Sequence, residues 1–281
     1  MNNDDLTSAD ASAGVAEDSS ETQPSGRGVS RLRWWIHLLL IGGYFTPLLF
    51  LRRPLGPVLT HTPGGLVIVC LVDLAFFAIV FGLAWLASRA SGEELFLPWR
   101  PGWWVVPLGV AYSLAIRIAV VMIVAAITML LLTTMSDQRQ VTEFWRSAAP
   151  DVRSIVSVTA ARSDPVYAWL LVSLVSFVSA GLREELWRAG TLAGMRALWP
   201  TTFGSRSGQV IAIIVIAVAF GLGHSRMGVL GASMAGMLGF FLGLIMVVHR
   251  SIWPAVIAHG SFDALTFAML AWLPVTAQPL R

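Results

Sequence analysis

Ten ionisable side chains interrupt the apolar stretches of this 281-residue chain, and six of them fall in a pattern that could do chemistry. Glu184 and Glu185 stand side by side, with Arg188 one helical turn on; His224 follows, and then His259 with Asp263 four residues later. Residues four apart share a helix face, so Glu184 can pair with Arg188 and Asp263 can orient the imidazole of His259; Glu185 can also reach Arg188, at three apart. Carboxylates and imidazoles together are what activating a water molecule requires: one group takes its proton while another stabilises charge on the atom attacked. Each such group costs at least about 2.5–3.5 kcal/mol to hold in hydrocarbon, so each calls for a function or a partner.

The depths of two of these groups agree. The turn at 200–206 joins two antiparallel apolar helices about residue 203, with Glu184 19 positions before that centre and His224 21 after it. At about 1.5 Å per helical residue the two side chains come to nearly the same height. A carboxylate and an imidazole are therefore expected to face each other between two helices.

The elements that must position these groups are membrane spans. Apolar residues make up 56% of the chain and charged ones 12%, against roughly 25% charged in an ordinary soluble domain. Mean hydropathy is +0.72, and the 12 Trp suit a bilayer interface, where indole rings collect. The expectation is an all-α polytopic membrane protein, a bundle of seven transmembrane helices: Trp34–Leu51, Leu66–Ser88, Trp103–Met135, Val166–Trp199, Val210–His224, Val229–Val248 and Ile252–Leu273. An eighth appears if Trp103–Met135, with Pro107 and Arg117 inside it, is a broken pair. The chain then divides into a disordered tail over 1–33, N-terminal spans over 34–135, an extramembrane or interfacial loop over 136–164 and a helical core over 165–275.

Charge narrows the chemistry. All 19 basic side chains are Arg, which excludes a Ser–Lys dyad or a Schiff-base lysine, and Cys70 is the single cysteine, which excludes a disulfide or a thiolate zinc cage. Residues 1–26 carry six acids and little to bury, and Arg27, Arg31 and Arg33 precede the first span, which points to a cytoplasmic N-terminus in the plasma membrane. His37 is one turn from the Trp34–Trp35 pair and is expected to reach the headgroups; Asp73 and Arg117 are expected to pair between two spans.

Glu-Glu with a nearby Arg, Phe220-x-x-x-His224, and His259-x-x-x-Asp263 on successive helices together resemble the CAAX-protease and bacteriocin-processing family. Ser251-Ile-Trp-Pro-Ala-Val-Ile-Ala-His259 resembles that family's approach to its last histidine, and the likeness covers about residues 165–275. Two departures stand out: two residues rather than three separate Glu185 from Arg188, and Asp263 stands where Asn is commoner. The resemblance implies an intramembrane endopeptidase acting on membrane-embedded or membrane-tethered proteins or peptide leaders, prenylated ones included, without a cofactor and without nucleic acid. It implies Glu184 as general base with His224 sharing the proton, and His259 and Asp263 beside the oxyanion.

Three other readings are open. His224, His259 and Glu184 form a His₂Glu zinc set, although no His-Glu-x-x-His fixes two ligands on one helix. Gly231-Ala-Ser233 offers a serine nucleophile of the rhomboid kind, or a small-residue stripe for helix packing. Outside enzymes, carboxylates and histidines within spans also serve proton-coupled transporters, and a non-catalytic membrane scaffold would share the helices alone.

Overall fold

The computed structural model describes residues 31–44, 61–135 and 137–272, and every regular element among them is helical. We number nine helices: α1 Arg31–Gly43, α2 Pro63–Ser88, α3 Val105–Thr134, α4 Gln138–Ala148, α5 Val158–Ser163, α6 spanning Pro165–Leu198, α7 Arg206–Gly223, α8 Gly228–His249 and α9 Trp253–Trp272. The boundaries follow from local chemistry. Thr62 caps α2 by accepting from the Gly65 N–H ahead of Pro63, and Asp164 caps α6 by accepting from Val166 and Tyr167 ahead of Pro165. Ser205 opens α7 in the same way, on Gly208.

Six helices among the described residues are long and apolar enough to cross a membrane, where the sequence suggested seven or eight. Two differences account for this. Gly102–Thr134 is one continuous helical run, because Pro107 falls in the first turn of α3, where its missing N–H is not needed. The expected first span appears as the 13-residue α1, which starts at Arg31 rather than Trp34, and residues 45–51 lie outside the described residues. So do residues 1–30 of the expected tail. Residues 136–164 include two short helices, and α4 places Val141 inward while Arg139 and Glu143 stay exposed.

The ends of the helices gather at two levels. At one, Arg31 donates to the Leu198 carbonyl, Trp35 meets Trp199 edge-on, and the Ile252 N–H and Ser251 Oγ bond to Phe96 and Pro98 carbonyls at 2.8 Å. At the other, the Asp151 N–H bonds to the Met227 carbonyl and Arg162 Nε to that of Leu270. The long helices thus run alternately up and down between the two levels.

At the centre stands α6. Its middle, Leu171–Leu182, is a π-helix, wider than an α-helix, with Ser176 Oγ reaching back five residues to the Leu171 carbonyl at 2.8 Å. Residues from Arg183 onward return to α-helical geometry and carry the charged cluster. α9 packs along the π segment on one side and along α3 on another, α1 and α2 pack together against α6, and α7 and α8 form a hairpin. The α9 contact is close, since a Cβ on Gly181 would come within 3.0 Å of the Val256 carbonyl oxygen. His37 does not reach the membrane surface. It is fully buried, with Nδ1 3.0 Å from the Ala84 carbonyl and Nε2 2.9 Å from that of Gly190, and so ties α1 to both α2 and α6.

Candidate active site

Glu185 and Arg188 form the floor of the charged cluster. Both are 0% exposed, they are ion-paired along α6, and Arg188 is the largest fully buried side chain among the described residues. Burying such a charge without a partner would cost several kcal/mol, so the pair is mutually required. The guanidinium lies over the Phe220 ring, 4.9 Å from its centroid. Space for it comes from α8, where a Cβ on Gly239 would come within 3.3 Å of Arg188 Nη2 and one on Gly243 within 3.4 Å of its Cδ.

Above this floor, α9 supplies His259, which is 3% exposed. Its Nδ1 is 3.1 Å from Glu185 Oε1, while Nε2 is 3.7 Å from Glu184 Oε2 and 3.6 Å from Asp263 Oδ2. One imidazole therefore touches three carboxylates, two of them on its Nε2 side. Gly260 permits this approach, because a Cβ there would collide with the Phe177 ring of the π segment. Asp263, one turn along α9, has 24% of its side chain exposed, and Glu184 has 7%.

His224 reaches the cluster differently from the expectation. It forms no hydrogen bond or ion pair with Glu184 among the described residues; its Nδ1 is 2.9 Å from the Phe220 carbonyl and its ring stacks at 4.5 Å from that of Phe220. Equal height along two helix axes does not set which way each helix faces, and the imidazole beside Glu184 is that of His259. A carbonyl only accepts, so Nδ1 of His224 carries the proton and, in the neutral ring, Nε2 keeps a free lone pair. Phe220 links the two histidines, its ring centroid being 6.4 Å from that of His259.

All six residues singled out in the sequence thus belong to one cluster or its edge. Four side chains completing it were not assigned there. Arg183 ion-pairs with Asp73 of α2 and with Glu184 Oε1 at 2.8 Å, and the Tyr44 hydroxyl donates to Asp73 Oδ1 at 2.7 Å. Asp73 is therefore Arg183's partner rather than Arg117's. Arg117 instead donates to the Phe262 carbonyl and to Thr266 Oγ1, beside Asp263 on α9. The presence of charge in α2 and α3 was a signal; which partner each charge meets depends on helix packing.

The residues of the rival chemistries are arranged as follows. Among the described residues no three of His, Cys, Asp and Glu are disposed to hold a metal ion. Ser233 lines a groove between α7 and α8 with Ile214, Ala217 and Val218, and a second cavity with Asp151 and Arg226; neither lining includes a histidine. Its neighbours Gly221 and Gly236 serve the helix crossing, where a Cβ on Gly221 would come within 2.7 Å of the Ala232 carbonyl.

Residues 166–265 match the family of type II CAAX prenyl endopeptidase Rce1-like proteins, a stretch that holds all six of the motif residues. The match covers α6–α9, about a third of the chain, and together with the motifs it contains it supports the resemblance to the CAAX-protease and bacteriocin-processing family. No curated protein matches the chain, and no solved structure does. The six long apolar helices support an integral membrane protein, and the match over α6–α9 is to a protease family.

Proposed function

We propose that this chain is an intramembrane endopeptidase that hydrolyses peptide bonds in membrane-embedded or membrane-tethered substrates, prenylated proteins or peptide leaders among them. The observation that carries the reading is the convergence of Glu184, His259 and Asp263 from two helices within 3.7 Å, inside the stretch matching the endopeptidase family.

In the proposed reaction Glu184 Oε2 takes a proton from a water molecule, whose oxygen attacks the peptide carbonyl carbon. The carbonyl oxygen becomes an oxyanion beside Nε2 of His259, which with both ring N–H groups in place donates to it; donors fixed in a dry site are worth several kcal/mol on such an intermediate. His224, with Nε2 free, shares the proton and returns it to the leaving amine. Glu185 holds the other face of His259, and Arg188 neutralises Glu185. No step in this sequence needs a metal.

Charge at the helix ends, counted among the described residues, supports the orientation. The level holding the start of α1 has Arg31, Arg33, Arg89, Arg100, Arg196, Arg206 and Arg250 against Glu93 and Glu94. The opposite level has Arg139, Arg146, Arg153, Arg162 and Arg226 against Asp137, Glu143, Asp151 and Asp164. By the positive-inside rule the N-terminus faces the cytoplasm, with the plasma membrane as the setting.

The test is purified protein in phosphatidylcholine liposomes, given quenched-fluorescent peptides either farnesylated or anchored by a transmembrane helix. Cleavage by the wild type, retained after chelation and dialysis, is the expected result. Activity lost on chelation and restored by stoichiometric zinc would replace the metal-free mechanism with a His₂Glu one.

A further inference from the structure

The match to the family begins at residue 166, yet the site does not end there, because one of its carboxylates is held from α2. We infer that Asp73 is a positioning residue for Glu184, acting through Arg183, with Tyr44 orienting Asp73 in turn. This rests on the reading of Glu184 as the base.

The argument begins with how the guanidinium is divided. Arg183, with 13% of its side chain exposed, gives Nη1 to Asp73 Oδ2 and Nη2 to Glu184 Oε1. An arginine left with one carboxylate tends to take both of its oxygens in a fork. Sharing Arg183 with Asp73 prevents that: only Oε1 of Glu184 is held, and Oε2 is the oxygen turned toward His259 Nε2, 3.7 Å away. Tyr44 takes the other oxygen of Asp73, donating to Oδ1 at 2.7 Å, and so fixes the carboxylate that fixes the arginine. The chain of contacts runs Tyr44, Asp73, Arg183, Glu184, and gives α2 a part in the chemistry that its place outside the family match conceals.

An ion pair that merely fastened α2 to α6 would affect folding and leave the rate per folded molecule alone. The assay therefore reads kcat and KM on the farnesylated peptide in liposomes, together with the midpoint of thermal unfolding. Asp73→Ala is expected to lower kcat about tenfold with KM unchanged, since the freed Arg183 closes on both oxygens of Glu184. Asp73→Asn, which keeps an oxygen for Arg183, should recover part of that loss. In an Arg183→Gln background Asp73→Ala should have no further effect on kcat. Wild-type kcat in Asp73→Ala, or a full tenfold loss persisting without Arg183, overturns the inference. If Asp73→Ala does not fold, Tyr44→Phe decides: a drop in kcat that vanishes in the Arg183→Gln background supports the relay, and an unchanged kcat overturns it. Glu184→Gln separates the two levels of the argument. An active Glu184→Gln removes the base assignment and the relay with it, whereas an inactive Glu184→Gln beside a fully active Asp73→Ala removes the relay alone.

Discussion

The two adjacent glutamates of α6 occupy different worlds. On the inner side, Glu185 and Arg188 are sealed at 0% exposure beneath His259, with glycines on α8 admitting close packing. On the outer side, Glu184 shares its surroundings with Asp263 and Asp73, whose side chains keep 24% and 30% exposure. Along a helix, successive residues point about 100° apart, and here that single step separates a carboxylate sealed against Arg188 from one set among partly exposed groups. A sealed ion pair holds structure; a carboxylate beside partly exposed groups, with an approach from outside, can exchange protons. The neighbouring Glu residues therefore divide scaffold from chemistry.

The largest effect should come from the outer side. Glu184→Gln is expected to lower the cleavage rate roughly a thousandfold, and His224→Ala roughly a hundredfold, while both proteins fold and insert normally. Peptide cleavage in liposomes beside the yield of folded protein measures this. Wild-type rates in both would remove the division between the two sides.

The inner side should respond in stability instead. Arg188→Ala leaves Glu185 buried without its cation, which costs about 3–5 kcal/mol when a buried pair loses one member. Thermal unfolding in detergent should show a clear fall in midpoint, and Glu185→Gln should lower the rate less than Glu184→Gln does. A destabilised Glu184→Gln beside a stable but inactive Arg188→Ala would reverse the comparison.

Much of this arrangement is legible in the residues, for reasons that can be separated. The spans follow from long apolar runs, and α6–α9 agree with the expected segments to within a few residues at most ends, α7 starting four residues before the expected Val210. The site residues were visible because charge inside a span is costly and rare. What the residues conceal is azimuth and partner. The π segment Leu171–Leu182 turns Glu184 relative to a straight helix, and it contains no Pro to announce it. Equal height therefore suggested that Glu184 faces His224, whereas His259 is its near imidazole. Asp73 likewise found Arg183 rather than Arg117, since two charges in different spans carry no record of which helices pack together. The buried His37 was misplaced for the same reason: its proximity to Trp34 says nothing about the carbonyls of Ala84 and Gly190 beneath it.

The smallest effect, and the finest division, concerns Asp263. It stands where the family more often has Asn, and the two side chains differ in what they can give: an ionised carboxylate only accepts hydrogen bonds, whereas an amide also donates. If Asp263 stabilised the oxyanion directly it would have to be protonated, and Asp263→Asn would then preserve the rate. The geometry favours another role. Nδ1 of His259 is engaged by Glu185 at 3.1 Å, so Nε2 is the nitrogen left for chemistry, and Asp263 Oδ2 lies 3.6 Å from it, nearly level with Glu184 Oε2 at 3.7 Å. Two carboxylates on one side of an imidazole favour the ring with both nitrogens protonated, which is the form that can donate to an oxyanion while still holding Glu185. Asp263 then supports His259 rather than touching the reacting oxygen, with Arg117 nearby on α3 limiting how far its negative charge is felt. Asp263→Asn is accordingly expected to lower kcat about tenfold with KM unchanged, and to displace the pH–rate profile, because it removes the charge while keeping the shape. An Asp263→Asn enzyme with the wild-type rate at every pH would move Asp263 from supporting His259 to donating in its own right.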